Sequence, residues 1–259
     1  MKKLLLASIA SFSTVLSAWS QCTYTLQPDA HDGKDASVYS LNCDEPYALE
    51  TGYCVTKNFG NWQNLHVAGW TWSSSPAIRR SFLEFDLSQF EGKNCQVLKA
   101  ELVLYAQTNG QDHCGSSSGW HPCKDNSFHI NRVTEPWQEH QINWKNQPTI
   151  SSSSTSESQI TIGDSSVNQY HNYTIDITDM ANFWMAYPDS NYGVRMSLID
   201  ESFYHSVNFA SSDHAVAALH PKLVLTMSCG QETFCSNLLQ GRIFDDLDQS
   251  CSDSDGDLG

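Results

Sequence analysis

Basic side chains are scarce in this chain: 14 Lys and Arg stand against 29 Asp and Glu among 259 residues. So few cations argue against a nucleic-acid partner, whose phosphates call for a basic face. The same balance suits calcium and disfavours strongly anionic ligands, unless a local basic patch overrides it. Long apolar runs are also missing beyond the first twenty residues, so no later segment reaches the length of a membrane span. Helical patterning is rare, with one good candidate in the whole chain. No His-Glu-x-x-His helix occurs among the ten histidines, which leaves no metalloprotease signature.

What is present starts with a leader. Lys2 and Lys3 precede the apolar stretch 4–16, and Ala18-Trp19-Ser20 supplies small residues at a cleavage point, so residues 1–20 read as a secretory signal peptide. Gln21 before Cys22 fits a lipidation box poorly, so secretion is expected rather than a lipid anchor. All nine cysteines follow that point, and in an oxidising compartment they read as a disulfide framework. Cys43 with Cys54, and Cys114 with Cys123, are the short local closures. Cys22 and Cys229 lie just outside the first and last strands and meet if those strands are antiparallel neighbours. Cys95 and Cys235 have no assignment, and Cys251 is the candidate for the odd thiol.

Short alternating runs recur between Gly, Asn, Pro and Ser clusters. Strands are expected over 23–26, 36–40, 81–85, 97–106, 127–134, 160–162, 170–177, 194–199, 207–210 and 222–227. In Ala100-Glu-Leu-Val-Leu-Tyr-Ala106, residues 100, 102, 104 and 106 share one face, and Glu101, Val103 and Tyr105 point outward. The helix candidate is 178–187. Thr178 or Asp179 is its expected cap, Met180, Phe183 and Trp184 form its stripe, and Pro188 ends it. Together these predict an all-β, two-sheet β-sandwich of jelly-roll type with one short helix.

The stretch Asn131-Arg-Val-Thr-Glu-Pro-Trp137, followed by Ile142-Asn-Trp-Lys-Asn-Gln-Pro148, is the most telling. A β-rich run stops at Pro136, which cannot donate to a ladder, and two tryptophans follow in one connection. This pattern resembles the DNRLRE (disaggregatase-related) domain, also grouped as carbohydrate-binding module family 96. Other pieces follow the family's order: Gln27-Pro-Asp, Asp32-Gly-Lys-Asp-Ala36, Asn58-Phe-Gly60, Arg80-Ser-Phe-Leu-Glu-Phe-Asp-Leu87 and Ala100-Glu-Leu-Val-Leu-Tyr105. Later come Ile175-Asp-Ile-Thr178, Asn191-Tyr-Gly-Val194, Phe209-Ala-Ser-Ser212 and Pro221-Lys-Leu223. The resemblance covers roughly residues 23–228, within a domain drawn at 22–229. It implies polysaccharide binding, with matrix or cell-wall glycans as the class, and the family includes parts of enzymes that degrade such polymers. Trp137 and Trp144 match the pattern so evenly that they are assigned to packing.

After Cys229 the composition shifts. Within residues 230–259, the run Leu239-Gln-Gly-Arg-Ile-Phe-Asp-Asp-Leu-Asp248 is similar to the opening strand of a B-type repeat of bacterial surface adhesins. A truncated second domain of a longer chain is therefore expected. Asp246, Asp248 and Ser250 hold the first, third and fifth places of a twelve-residue loop ending at Asp257, an oxygen pattern that suits calcium. Cys251 stands where Gly is expected, and Asp257 replaces a bidentate Glu. The alternative is a solvated acidic tail. A second calcium candidate is Asp32-Gly-Lys-Asp35, within a set that also includes Asp29, Asp86, Asp176 and Asp213. Asp in turns more often bonds to its own backbone.

For sugar binding the useful side chains are aromatic rings plus planar amides and guanidinium groups. Trp70-Thr-Trp72 puts two indoles on one strand face roughly 7 Å apart, near the spacing of neighbouring sugar rings. Trp120 lies in the loop between Cys114 and Cys123, beside His113 and His121. Asn61, Trp62, Gln63, Arg79 and Arg80 are the other candidates. The competing reading for Trp70 and Trp72 is that each faces the core.

Enzyme signals are thin. Gly115-Ser-Ser-Ser-Gly119 mimics a nucleophile elbow at Ser117, but no apolar strand precedes it and no helix follows. Glu84 with Asp86, or Glu135 with Glu139, could flank a glycosidic bond, but so acidic a chain offers such pairs freely. The leading expectation is a secreted, cell-surface or extracellular bacterial polysaccharide-binding protein without catalysis. The alternatives are a structural stalk or adhesin domain that binds no glycan, and a polysaccharide hydrolase or lyase.

Overall fold

The computed structural model describes residues 20–44, 52, 54–72, 74–107, 125–163, 172–202 and 204–229. Along them run β1 (Ser20–Leu26), β2 (Lys34–Tyr39), β3 (Asn64–Trp72), β4 (Ser75–Glu84), β5 (Cys95–Leu104) and β6 (Phe128–Arg132). Then follow β7 (Gln159–Ile162), β8 (Tyr173–Asp176), α1 (Thr178–Ala186), β9 (Val194–Leu198), β10 (His205–Ala210) and β11 (Lys222–Cys229). The smaller sheet has the order β1-β11-β5-β8. The larger has the order β10-β3-β4-β9-β6-β7, with β2 also on β4. All pairings are antiparallel, and the larger sheet curls into a half-barrel.

The period-2 pattern explains the packing. In β5, Ala100, Leu102 and Leu104 are fully buried, while Glu101 and Val103 are half-exposed, as the alternation predicted. Tyr105 and Ala106 lie past the strand end and both are half-exposed, so Ala106 does not join the buried face. In β11, Leu223, Leu225, Met227 and Cys229 turn inward. They meet Leu65 and Val67 of β3, Phe128 and Ile130 of β6 and Phe209 of β10 in one central core. Each large side chain so buried contributes about 1.5–3 kcal/mol.

Two aromatic clusters extend this core. Phe82, Val133, Trp137 and Ile142 form one with Ala36 and Val38, and Trp144 and Tyr192 pack against it. Trp137 is buried and donates its indole N–H to the Tyr192 carbonyl at 3.0 Å, so its packing role holds. The other cluster, around Tyr39, Leu41, Phe59 and Ala77, carries Trp62, Trp70 and Trp72 at its edge.

Three expectations are corrected. Neither Thr178 nor Asp179 caps the helix: the cap position is Ile177, without a side-chain cap bond. Asp176 Oδ1, one residue earlier, accepts the Thr178 N–H at 2.9 Å, while the Thr178 hydroxyl accepts the Ala100 N–H. The strand containing Trp70 and Trp72, Asn64–Trp72, is not among the strands expected from alternation. Its centre, His66-Val-Ala-Gly69, is buried on both faces and so lacks a readable alternation. Finally, Cys229 pairs with Cys95 and not with Cys22. β1 and β11 are indeed antiparallel neighbours, but their register sets Cys22 opposite Met227. Cys95 sits directly across from Cys229 on β5, with Cα atoms 4.1 Å apart. The Cys43–Cys54 bridge is present. Cys22 is disulfide-bonded as well, but not to Cys229. The expected Cys114–Cys123 closure, the leader and residues 230–259 also lie outside them. No helix among the described residues is long and apolar enough to cross a membrane.

Candidate functional site

The hairpin of β3 and β4 sets Trp70 opposite Ala77 and Trp72 opposite Ser75. With such small partners, the two indoles are half-exposed on one face of β3. Each is held from the side. The Trp70 ring meets Tyr204 edge-on with centroids 5.1 Å apart. The Trp72 N–H donates to the Tyr39 hydroxyl at 2.6 Å. Trp62 joins the same cluster, with its ring 4.8 Å from Phe59 and 5.1 Å from His66. Asn61 and Gln63 on either side of it are exposed.

Arg79 was expected on this surface, and the structure places it beneath. It is 2% exposed, with its guanidinium 4.4 Å from the Tyr39 ring centre. It donates to the Tyr39 hydroxyl at 2.6 Å and to His66 Nδ1 at 2.7 Å. β4 carries Arg79 opposite both Tyr39 of β2 and Ala68 of β3, so the curl of the sheet encloses it. Burying a guanidinium is costly unless its donors are matched, and His66 and Tyr39 match its two terminal nitrogens. Because Nδ1 accepts from Arg79, His66 is neutral there. Burial first, then the Arg79 charge, hold its pKa well below the ordinary value. Arg79 therefore supports Trp72 through Tyr39 and does not itself face solvent.

Arg80 turns to the opposite face. It forms a two-point ion pair with Glu201, at 2.7 and 2.8 Å, and donates to Gln147 at 3.1 Å. Its guanidinium also lies 4.5 Å from the Trp144 ring centre. Arg80 and Trp70 are thus not brought together. Trp120 lies outside the described residues.

A third constellation joins three distant segments. Asp35 on β2, Glu139 in the connection after Trp137 and Asp213 after β10 bring carboxylate oxygens within 4.8 Å of one another. Asp35 is 1% exposed, and the other two are half-exposed. The Asp35 backbone N–H donates to Glu139 at 3.1 Å, and Asp35 Oδ2 accepts the Ser212 N–H at 2.7 Å. Asn58 fixes the Glu139 segment, donating to the carbonyls of Glu139 at 2.5 Å and Ile142 at 2.8 Å. Gly60 is needed there, since a Cβ would come within 2.6 Å of the Glu139 carbonyl oxygen. Burial raises the pKa of all three acids, and that of Asp35 is pushed up to about 7. This trio could hold a metal ion. Asp35 and Asp213 were legible as turn acids, but Glu139 was missed as their partner because 104 residues separate it from Asp35. Asp32 is not part of the trio: it is exposed, and its N–H bonds to Asp29. The tail candidates Asp246, Asp248, Ser250 and Asp257 lie outside the described residues.

The carboxyl pairs considered for glycoside hydrolysis are otherwise engaged. Lys34 binds Glu84 at 2.6 Å, and Asp86 accepts the Ser88 N–H at 2.8 Å. Glu135 is exposed and accepts the Thr149 N–H, whereas Glu139 belongs to the trio.

In comparison with known families, the model of carbohydrate-binding module family 96 matches residues 49–227. That span holds Trp70, Trp72, Glu139 and Asp213 and begins after Asp35, so it is shorter at the front than the motif resemblance. No curated protein matches the chain.

Proposed function

The chain belongs to carbohydrate-binding module family 96, and from that premise we infer that it adsorbs to polysaccharide with Trp70 and Trp72 as its stacking surface. Membership of the family implies carbohydrate binding. The observation that carries the placement is the pair of half-exposed indoles two residues apart on β3, fixed by Tyr204 and Tyr39. A pyranose presents a face of C–H groups to each ring, and the side-chain amides of Asn61 and Gln63 meet hydroxyls at the border. Rings already held in place lose little freedom on binding, which favours affinity. Single contacts of this kind are weak, so useful retention comes from many sugars along one polymer.

The ligand class we propose is matrix or cell-wall glycan, met outside the cell. The two bridges Cys43–Cys54 and Cys95–Cys229 are consistent with that location, as is the signal-like leader. Trp120 remains a proposed second anchor, and the loop from Asp246 to Asp257 a proposed calcium loop.

The test is retention of the oxidised chain on a panel of insoluble and gelled polysaccharides, with the supernatant assayed for reducing ends and unsaturated sugars. Retention without soluble products is expected. Release of products would point to a hydrolase or lyase, and no retention anywhere to a stalk or adhesin domain.

A further inference from the structure

The acidic trio has a fourth member that a list of carboxylates does not show. Ser212 follows β10 and is 1% exposed, and its hydroxyl oxygen is buried without a hydrogen-bond partner. Its backbone N–H already holds Asp35 Oδ2 at 2.7 Å, so the side chain is anchored beside that carboxylate. The hydroxyl favours the charged form of Asp35, which sets it beside the buried carboxylate of the trio. Leaving a buried hydroxyl unpaired costs about 1–3 kcal/mol, and setting two further carboxylates against the buried Asp35 adds to that cost. A cation would satisfy both.

The bases nearby offset that charge only in part, since burial still outweighs them at Glu139 and Asp213. The Lys34 ammonium is bound to Glu84 at 2.6 Å. His140 lies 3.5 Å from Glu139 but is exposed. His220 gives one ring nitrogen to the His214 carbonyl at 2.7 Å. We propose that Asp35, Glu139, Asp213 and the Ser212 hydroxyl form a binding site for a hard divalent cation, calcium by ligand chemistry. All four donors are oxygens, three of them anionic, and the half-exposed side at Glu139 and Asp213 leaves room for water to complete six to eight ligands. Thiolate and imidazole donors, which select zinc or copper, are not part of the set.

The ion ties the start of β2, the connection after Trp137 and the turn after β10 into one unit. These segments sit far apart in the chain, and the sheet ladders alone do not join all three. The site is independent of the sugar-stacking surface, so either can fail without the other.

Thermal unfolding of the full oxidised chain, with EDTA and then with millimolar calcium, magnesium or manganese, tests this, with calorimetric calcium titration alongside. Calcium is expected to raise the midpoint by roughly 5 °C or more at saturation. Asp213→Asn is expected to abolish that rise, and Glu139→Gln is the second variant in case the first does not fold. A tail variant, Asp246→Asn with Asp248→Asn, is expected to keep the rise. No response of the wild type to any of the three ions overturns the proposal. So does a response that survives both trio variants and vanishes in the tail variant.

Discussion

The indole N–H of Trp72 ends on the hydroxyl of Tyr39, 2.6 Å away, and that same oxygen accepts a guanidinium N–H of Arg79 at 2.6 Å. A half-exposed ring is thereby wired to a buried cation, which in turn rests on His66. The position of a surface tryptophan is set from inside the half-barrel.

Tyr39→Phe removes one oxygen that accepts from two donors. The expected loss is about 2–4 kcal/mol, because both the indole and the buried guanidinium lose a partner at once. Urea unfolding monitored by tryptophan fluorescence reads the stability change. Polysaccharide retention measured well below the new midpoint should also fall, since Trp72 loses its anchor.

Trp70→Ala should weaken binding with little change in stability. Its ring is half-exposed, meets Tyr204 edge-on and packs only at the edge of the Tyr39 cluster, so truncation removes a stacking face more than core. A drop in affinity of about tenfold or more is expected, on the scale of 1–2 kcal/mol for such contacts. Equal retention of wild type and Trp70→Ala on the best polysaccharide of the panel would remove this residue from the surface.

Acid should weaken the fold through His66. Unfolded, its imidazole takes up a proton near pH 6.5; folded, it stays neutral well below that value. The sign follows: this contribution is complete above pH 6.5 and is lost as pH falls below it, by up to about 1.4 kcal/mol per pH unit. Asp35, with its carboxyl pushed up to about 7, works in the opposite direction in both chains and cancels in a comparison. His66→Gln should therefore show a shallower loss of stability between pH 6.5 and 5 than the wild type, read from urea midpoints. Parallel curves would count against the buried neutral histidine.

The Cys95–Cys229 bridge closes a loop of 134 residues. Replacing both cysteines by serine should cost about 3–5 kcal/mol, chiefly by freeing the unfolded chain. Differential scanning calorimetry at fixed scan rate measures it. A loss under 1 kcal/mol would mean that the strand register alone holds that edge.

Gly60→Ala should disturb the acidic trio from a distance. The new methyl group would press on the backbone carbonyl of Glu139, which Asn58 holds in place. Overpacking of this kind costs about 1–3 kcal/mol. A reduced calcium response, relative to wild type, is the further sign that Glu139 has moved.

Alternation was enough to establish strands, layers and the inward faces of the sandwich. Ala100, Leu102 and Leu104, or Leu223, Leu225 and Met227, need no knowledge of their partners to be assigned to a core, because a period of two leaves a strand only two faces. The turn acids, the helix stripe and the local Cys43–Cys54 closure were legible for a similar reason: each depends on neighbours a few residues away. Register was not legible. Whether Cys229 meets Cys22 or Cys95 depends on a shift of two residues between strands far apart in sequence. Whether Arg79 faces solvent depends on the curl of a sheet. That Asp35, Glu139 and Asp213 stand together, with Ser212 beside them, follows from the start of β2 meeting two distant connections. Periodicity says which face a residue takes, but only the closed chain decides what stands opposite it.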